Sequence, residues 1–286
     1  MSQSAIGGIT LPDNGNLDIG SGSSDMSAIV VGVRAASSNI NVHGSNGAFK
    51  ASYATVNLAV TALATDDILV IKSGLHTLTA ACDIAAKDVS IVGEGLVTIQ
   101  AAAGADYAFR ILLGAQKGGV TFKNLNIIHD DDATQVGIQV NNTSSTGKVN
   151  VYVQDCTFEC AGNVGEGTAG NSIDIDHASA TDAVRVYVTN STTEGPVNMT
   201  SANDGDRLRF CKCTVRGGVV LGNNNYDLEL LFEHCVILHG GISGGNSNNR
   251  CIYVNCVSET DADPNVYGLV DGDDNVGAAA DQIIGS

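Results

Sequence analysis

From residue 120 onward, apolar residues fall in pairs separated by one polar residue, and the pairs come in couples that break the alternation. In VTFKNLNI (120–127), Val120 and Phe122 lie on one parity, Leu125 and Ile127 on the other. The pattern recurs as VYVQDCTF (151–158), VYVTNSTT (186–193), LRFCKCTV (208–215), LLFEHCVI (230–237) and CIYVNCVS (251–258). Period-two alternation marks a strand with one buried face. A one-residue slip in a continuous strand would throw the second pair onto the opposite face, so the chain is expected to turn a corner that keeps both pairs inward. The corner residues are Asn124, Asp155, Asn190, Lys212, His234 and Asn255. Asn, Asp and His best tolerate the left-handed backbone such a corner requires, and Lys212 is the exception.

The residues after the corners, Leu125, Cys156, Ser191, Cys213, Cys235 and Cys256, are spaced by 31, 35, 22, 22 and 21 residues, a period that signals a solenoid. A third apolar patch follows each corner: Ile138/Val140, Ile173/Ile175, Val197/Met199, Val219/Leu221 and Ile242. The expected fold is therefore all-β, a single-stranded parallel β-helix with three strands per rung and rungs stacked at ~4.8 Å. Equivalent inward residues should form columns, Leu125 to Cys256 being one. This explains at least five of the eight cysteines as reduced interior thiols. No His or second Cys converges on the column from other strands, so a metal–thiolate array is not expected.

Upstream, SYATVNLAVTALATDDILVIKSGLHTLTAACDIAAKDVSIVGEG (52–95) resembles the entry to a pectate-lyase-like right-handed parallel β-helix, in which a short helix leads into a first strand and then an I-x-G-E-G rung. Gly74, Gly93 and Gly95 match that pattern, and His76 stands where an aromatic is usual. The helix, at about 52–64, has Ser52 as a candidate cap and Tyr53, Val56, Ala59, Val60 and Leu63 on one face, and would plug the N-terminal end of the coil. The resulting division is an arm (1–44, with a strand-like AIVVGVRA at 28–35), a coil (45–258) and a C-terminal cap or tail (259–286).

Composition narrows the partners. A formal charge of −17 disfavours nucleic acid and anionic lipid, and no apolar run is long enough to span a membrane. The first two dozen residues have neither a basic stretch nor an unbroken apolar one, so no export signal is expected.

Enzymes of the resembled superfamily imply clustered carboxylates with Ca²⁺ and a basic residue, or several Asp with a Gly-His-Gly segment, and neither set is complete here. The nearest candidates are Asp174 and Asp176, outward-facing beside Ile173 and Ile175, with His177. Their neighbours on adjacent rungs, Gln139 and Asn198, supply no second carboxylate tier, which favours a solvated face. Asp130, Asp131 and Asp132 invite a cation, though consecutive Asp seldom converge on one ion. No cofactor, resident metal or catalytic residue is expected. The enlarged loop between Glu159 and Asn171 offers a place for partner or glycan contact.

Cytosolic synthesis, reduced cysteines and terminal arms resemble bacteriophage virion proteins. The expectation is a non-enzymatic structural protein of the particle, a capsid decoration or cement protein or a spike. It would be made in the host cytoplasm and assembled as a homotrimer on the major capsid or another virion protein, with host glycans as a further contact. The alternatives are a polysaccharide lyase or hydrolase using Asp174, Asp176 and His177, and an exported adhesin.

Overall fold

The computed structural model describes residues 5–6, 9–10, 39–85, 87–112, 119–129, 135–142, 149–160, 170–177, 184–201, 206–221, 228–238, 242–244, 250–258 and 267–268. The chain divides into two compact units. In the first, Met1–Ser37, the strands Ala5–Ile6 and Ile9–Thr10 pair antiparallel. AIVVGVRA and most of 259–286 lie outside the described residues.

The second unit, Ser38–Ser286, holds two large sheets whose strands pair almost entirely in parallel, in a curled arrangement that fits a parallel β-helix. It includes Ile40–His43, within the stretch that sequence reading sets apart as an arm; this strand pairs antiparallel with Phe49–Ser52 and with residues 68–71. From there strands before the corner pair with their counterparts one copy on, as do strands after it: Val149–Gln154 with Val184–Thr189, and Thr157–Cys160 with Thr192–Thr193. The third patches form a separate seven-stranded sheet running from Cys82–Ala85 to Ile242–Gly244.

In-register parallel pairing stacks like on like. Ile91, Phe122, Val153, Val188, Phe210 and Phe232 are successive partners and form one buried column. The Phe210 and Phe232 rings stack 5.2 Å apart at 3°, and Phe109 of the second sheet meets Phe122 at 5.2 Å across the interior. These residues belong to one hydrophobic cluster that runs from Ile40 to Cys256.

Asn124, Asp155, Asn190, Lys212, His234 and Asn255 have φ of 54, 53, 49, 56, 54 and 52°. Each corner recruits the same hydrogen bonds. The carbonyls of Gln154, Thr189, Cys211, Glu233 and Val254 each accept the corner N–H of the preceding rung. Each also accepts from the side chain two residues on: Cys156 (3.2 Å), Ser191 (2.8 Å), Cys213 (3.3 Å), Cys235 (3.2 Å) and Cys256 (3.3 Å). These column side chains also take inward N–H groups, Cys156 N–H donating to Ser191 Oγ and Cys235 N–H to Cys256 Sγ. A small side chain with one donor and one acceptor therefore suits the position, because the corner leaves polar backbone groups facing an apolar core. In the earlier rung Gly93 replaces this device: a Cβ there would sit 2.1 Å from the Asn124 carbonyl, and Asn124 Nδ2 donates to the Gly93 carbonyl at 2.8 Å.

The helix spans Val56–Ala62, shorter than the expected 52–64, and its cap is Thr55, whose hydroxyl accepts from Leu58 N–H. Ser52 does not cap because it ends the strand Phe49–Ser52 and donates to Asn41 Oδ1. Seven residues are too few to hold a helix alone. Burial of Val56, Ala59 and Val60 holds it, together with Asn57, which donates to the Ala80 carbonyl and accepts from Thr79 N–H. No helix among the described residues is long and apolar enough to cross a membrane.

Lys212 carries the least suited side chain at a left-handed corner, a conformation that costs an L-residue about 1–2 kcal/mol. Lys212→Gly should raise the thermal midpoint, whereas Asn190→Val at the equivalent corner should lower it; melts of both variants check this.

The column thiols should be inert. Burial pushes Cys156 up to about 11, and Cys82 to about 12. Within the run Cys213–Cys235–Cys256, the hydrogen bond with Cys213 raises Cys235 to about 11 and lowers Cys213, and the bond with Cys235 raises Cys256. Of the seven free cysteines with described side chains, only Cys211 is partly exposed. Alkylation of the native protein at pH 8 should modify Cys211 among these seven, and the column only after denaturation, as peptide mass mapping would show.

Candidate functional site

The outer faces carry the remaining chemistry, and cross-rung register decides what meets there. On the strand Ile173–His177, Ile173 and Ile175 are buried while Asp174 and Asp176 point outward, half-buried. Asp174 lies in register between Gln139 and Asn198, which donate to its two oxygens at 3.3 and 2.7 Å. Asn141 Nδ2 donates to Asp176 at 3.1 Å. Burial raises the Asp174 pKa, the two amide bonds lower it, and Asp176 raises it slightly. The amides flanking the pair are themselves strained for partners: Asn141 Oδ1 and Asn198 Oδ1 are buried without a donor. The His177 side chain and all of Asp130, Asp131 and Asp132 lie outside the described residues. Among the described residues no group of three His, Cys, Asp or Glu side chains is placed to hold a metal ion.

His129, immediately before that Asp run, is a core residue. It is 1% exposed, its Nε2 is 3.4 Å from Ser172 Oγ, and Ser172 Oγ accepts from Gly195 N–H. Ser172 is itself fully buried, so this Ser–His contact has no solvent face and serves packing. Sequence reasoning passed over it because the partners are 43 residues apart.

Further along the same sheet, Arg110 forms a two-pronged ion pair with Asp83 (3.0 and 2.9 Å), stacks 4.5 Å over the Tyr107 ring, and shares Asp83 with the Tyr107 hydroxyl. Burial and the bond to Asp83 push Tyr107 up to about 12.

The sheet formed before the corners has a different outer face. Tyr152 and Tyr187 are register partners whose rings stack 5.2 Å apart at 12°. The column continues through Arg209, Leu231 and Ile252. Beside it runs Asn150, Arg185, Arg207 and Glu229. Arg207 pairs with Glu229 and Arg209 with Glu233, each at 3.1 Å from Nε. Arg216, outside this face, lies 3.5 Å from Glu194. Among the described residues the Arg185 Nε is buried and has no hydrogen-bond partner, and no ion pair of Arg185 is seen. The tyrosine stack was legible in the aligned VYVQDCTF and VYVTNSTT. The isolation of Arg185 was not, since pairing depends on side-chain reach. The Arg250 side chain and His239 lie outside the described residues, and His234 is an exposed corner residue.

Because the folded state holds the Asp174 proton more tightly than the unfolded chain, ionisation of this carboxyl opposes folding: its contribution favours the native state at low pH and is lost as pH rises through the folded pKa. Asp174→Asn should therefore be at least as stable as the native chain at pH 7, and the native chain should gain relative to it on acidification; paired thermal melts at pH 7 and pH 4 test the sign.

No family model, curated protein or solved structure matches the chain.

Proposed function

We propose that the chain is a non-enzymatic structural protein of a bacteriophage particle, a capsid decoration protein or spike. In this reading it is a right-handed, pectate-lyase-like β-helix with three strands per rung. Right-handedness is the rule for parallel crossovers. The helix Val56–Ala62, packed through Val56, Ala59 and Val60, closes the first rung and denies its edge to other chains. The N-terminal arm docks on the shell, three copies stand side by side, and the exposed faces meet capsid neighbours or host glycans.

One observation carries this reading: the polar groups of the candidate row are spent on bracing rung to rung. Asp174 is clamped by Gln139 and Asn198, Asp176 is held by Asn141, and Asp83 is held by Arg110 and Tyr107. A general acid or base needs an oxygen free to meet substrate and a second group working opposite it. Side chains engaged along the stack stiffen a rod instead.

Mass spectrometry of purified particles should find the full-length protein in stoichiometric amount, and deletion of residues 1–44 should abolish particle association while the circular dichroism of the coil persists. Release of reducing ends from an acidic or neutral polysaccharide by the purified protein, lost in Asp176→Ala, would instead establish the glycan-cleaving alternative.

A further inference from the structure

The three outer faces of the coil differ in kind. After the corner, one outward register row runs Asn126, Thr157, Thr192 and Thr214 and ends at the exposed Val236. The third sheet presents Arg110, Gln139, Asp174 and Asn198 in another. Only the face before the corner combines stacked tyrosines, outward Leu231 and Ile252, and three arginines within two adjacent rungs. Tyr and Arg are the residues enriched in protein contact surfaces relative to the rest of a protein's exterior.

The charge on this face is equally unusual. In a chain of net −17, Arg185 and Arg207 are direct register neighbours, so two like charges sit one rung apart. Glu229 and Glu233 answer Arg207 and Arg209, while no described carboxylate answers Arg185. An uncompensated guanidinium, more than half withdrawn from water and next to a second one, is a standing cost to the free chain that an incoming carboxylate removes.

A carboxylate of the right height exists on the chain itself. The strand with Asp174 and Asp176 closes the turn that begins with Tyr152, and the next turn begins with Arg185 and Tyr187. The acidic pair and the arginine therefore differ by about one rung, ~4.8 Å along the stack. When two copies stand parallel and level, the acidic row of one and the arginine–tyrosine face of the other are at matching heights. Packing the arginine face against itself would oppose Arg185 and Arg207 to their own copies, which like-charge repulsion disfavours. A heterologous contact, one face against a different face of the neighbour, avoids this, and makes a ring when the rotation between copies closes.

We propose that the face bearing Tyr152, Tyr187, Arg185 and Arg207 is the lateral interface of the assembly, and that it receives the Asp174–Asp176 row of a second copy of this chain. The interface rests on the side-by-side assembly proposed above and names its contact. Arg185 pairs with the neighbour's Asp176, which Asn141 holds at one oxygen only, and the tyrosine stack packs against the flanking amide row. The occupant is specific in sign: it must bring carboxylates, as the acidic row of a level neighbour does.

Native mass spectrometry of the full chain tests the interface. The native protein should appear as a closed oligomer of 29.3 kDa chains, weakened by high salt. Arg185→Glu with Arg207→Glu should reduce it to single chains with unchanged circular dichroism. Asp176→Arg on the opposite face should do the same, and combining the swaps should restore the oligomer. Retention of the oligomer by folded variants of both faces would overturn the interface while leaving the particle protein reading intact. A monomeric native chain whose arginine face binds a uronate oligosaccharide would also overturn it. Absence of the protein from particles would overturn the functional reading alone, because the mass of the purified oligomer does not depend on it.

Discussion

The corner between adjacent strands is the constraint on which the rest depends. Turning inward-facing strands through a left-handed residue directs an N–H and a carbonyl toward an apolar interior, where an unpaired polar group costs about 1–3 kcal/mol. The chain answers from Gln154 to Val254 with the same device, a carbonyl that accepts both the preceding rung's corner N–H and the thiol or hydroxyl two residues on. Because that carbonyl belongs to one rung and the N–H to the previous one, the corner locks register between rungs. A one-residue slip would lose these bonds and would turn Phe122, Phe210 and Phe232 outward together.

With register locked, column composition follows. Inward positions stack identical or similar apolar groups, and phenylalanines fill the wide part of the section. The cysteine column is therefore a packing and hydrogen-bonding device. Its thiols are raised by burial or by their neighbours, apart from Cys213, and none faces water, the opposite of the partly exposed, electropositive setting that makes a thiol reactive. Ser191 can stand in the series because a hydroxyl supplies the same donor and acceptor in less volume.

Outside, the same stacking rule works against the protein, since identical charges in register repel. Two faces solve this by alternation. Amides separate the carboxylates on one, as at Gln139–Asp174–Asn198, and threonines line another. The arginine–tyrosine face does not solve it, with Arg185 directly beside Arg207.

Much of the architecture was already written along the chain, because inward and outward are local parities. The slip between Phe122 and Leu125 marks a corner whatever surrounds it, and Asn, Asp and His mark the left-handed residue. The outward placement of Asp174 and Asp176 follows from their isoleucine neighbours. Tertiary structure decided what parity cannot carry. Residues 24 to 43 positions apart met only once rungs stacked, so the clamp on Asp174 and the burial of His129 against Ser172 had no local signature. The helix start moved from Ser52 to Thr55 because a strand competed for the same residues. Among the described residues no carboxylate pairs with Arg185, because those within its reach were set by register and side-chain length, quantities that exist only in three dimensions.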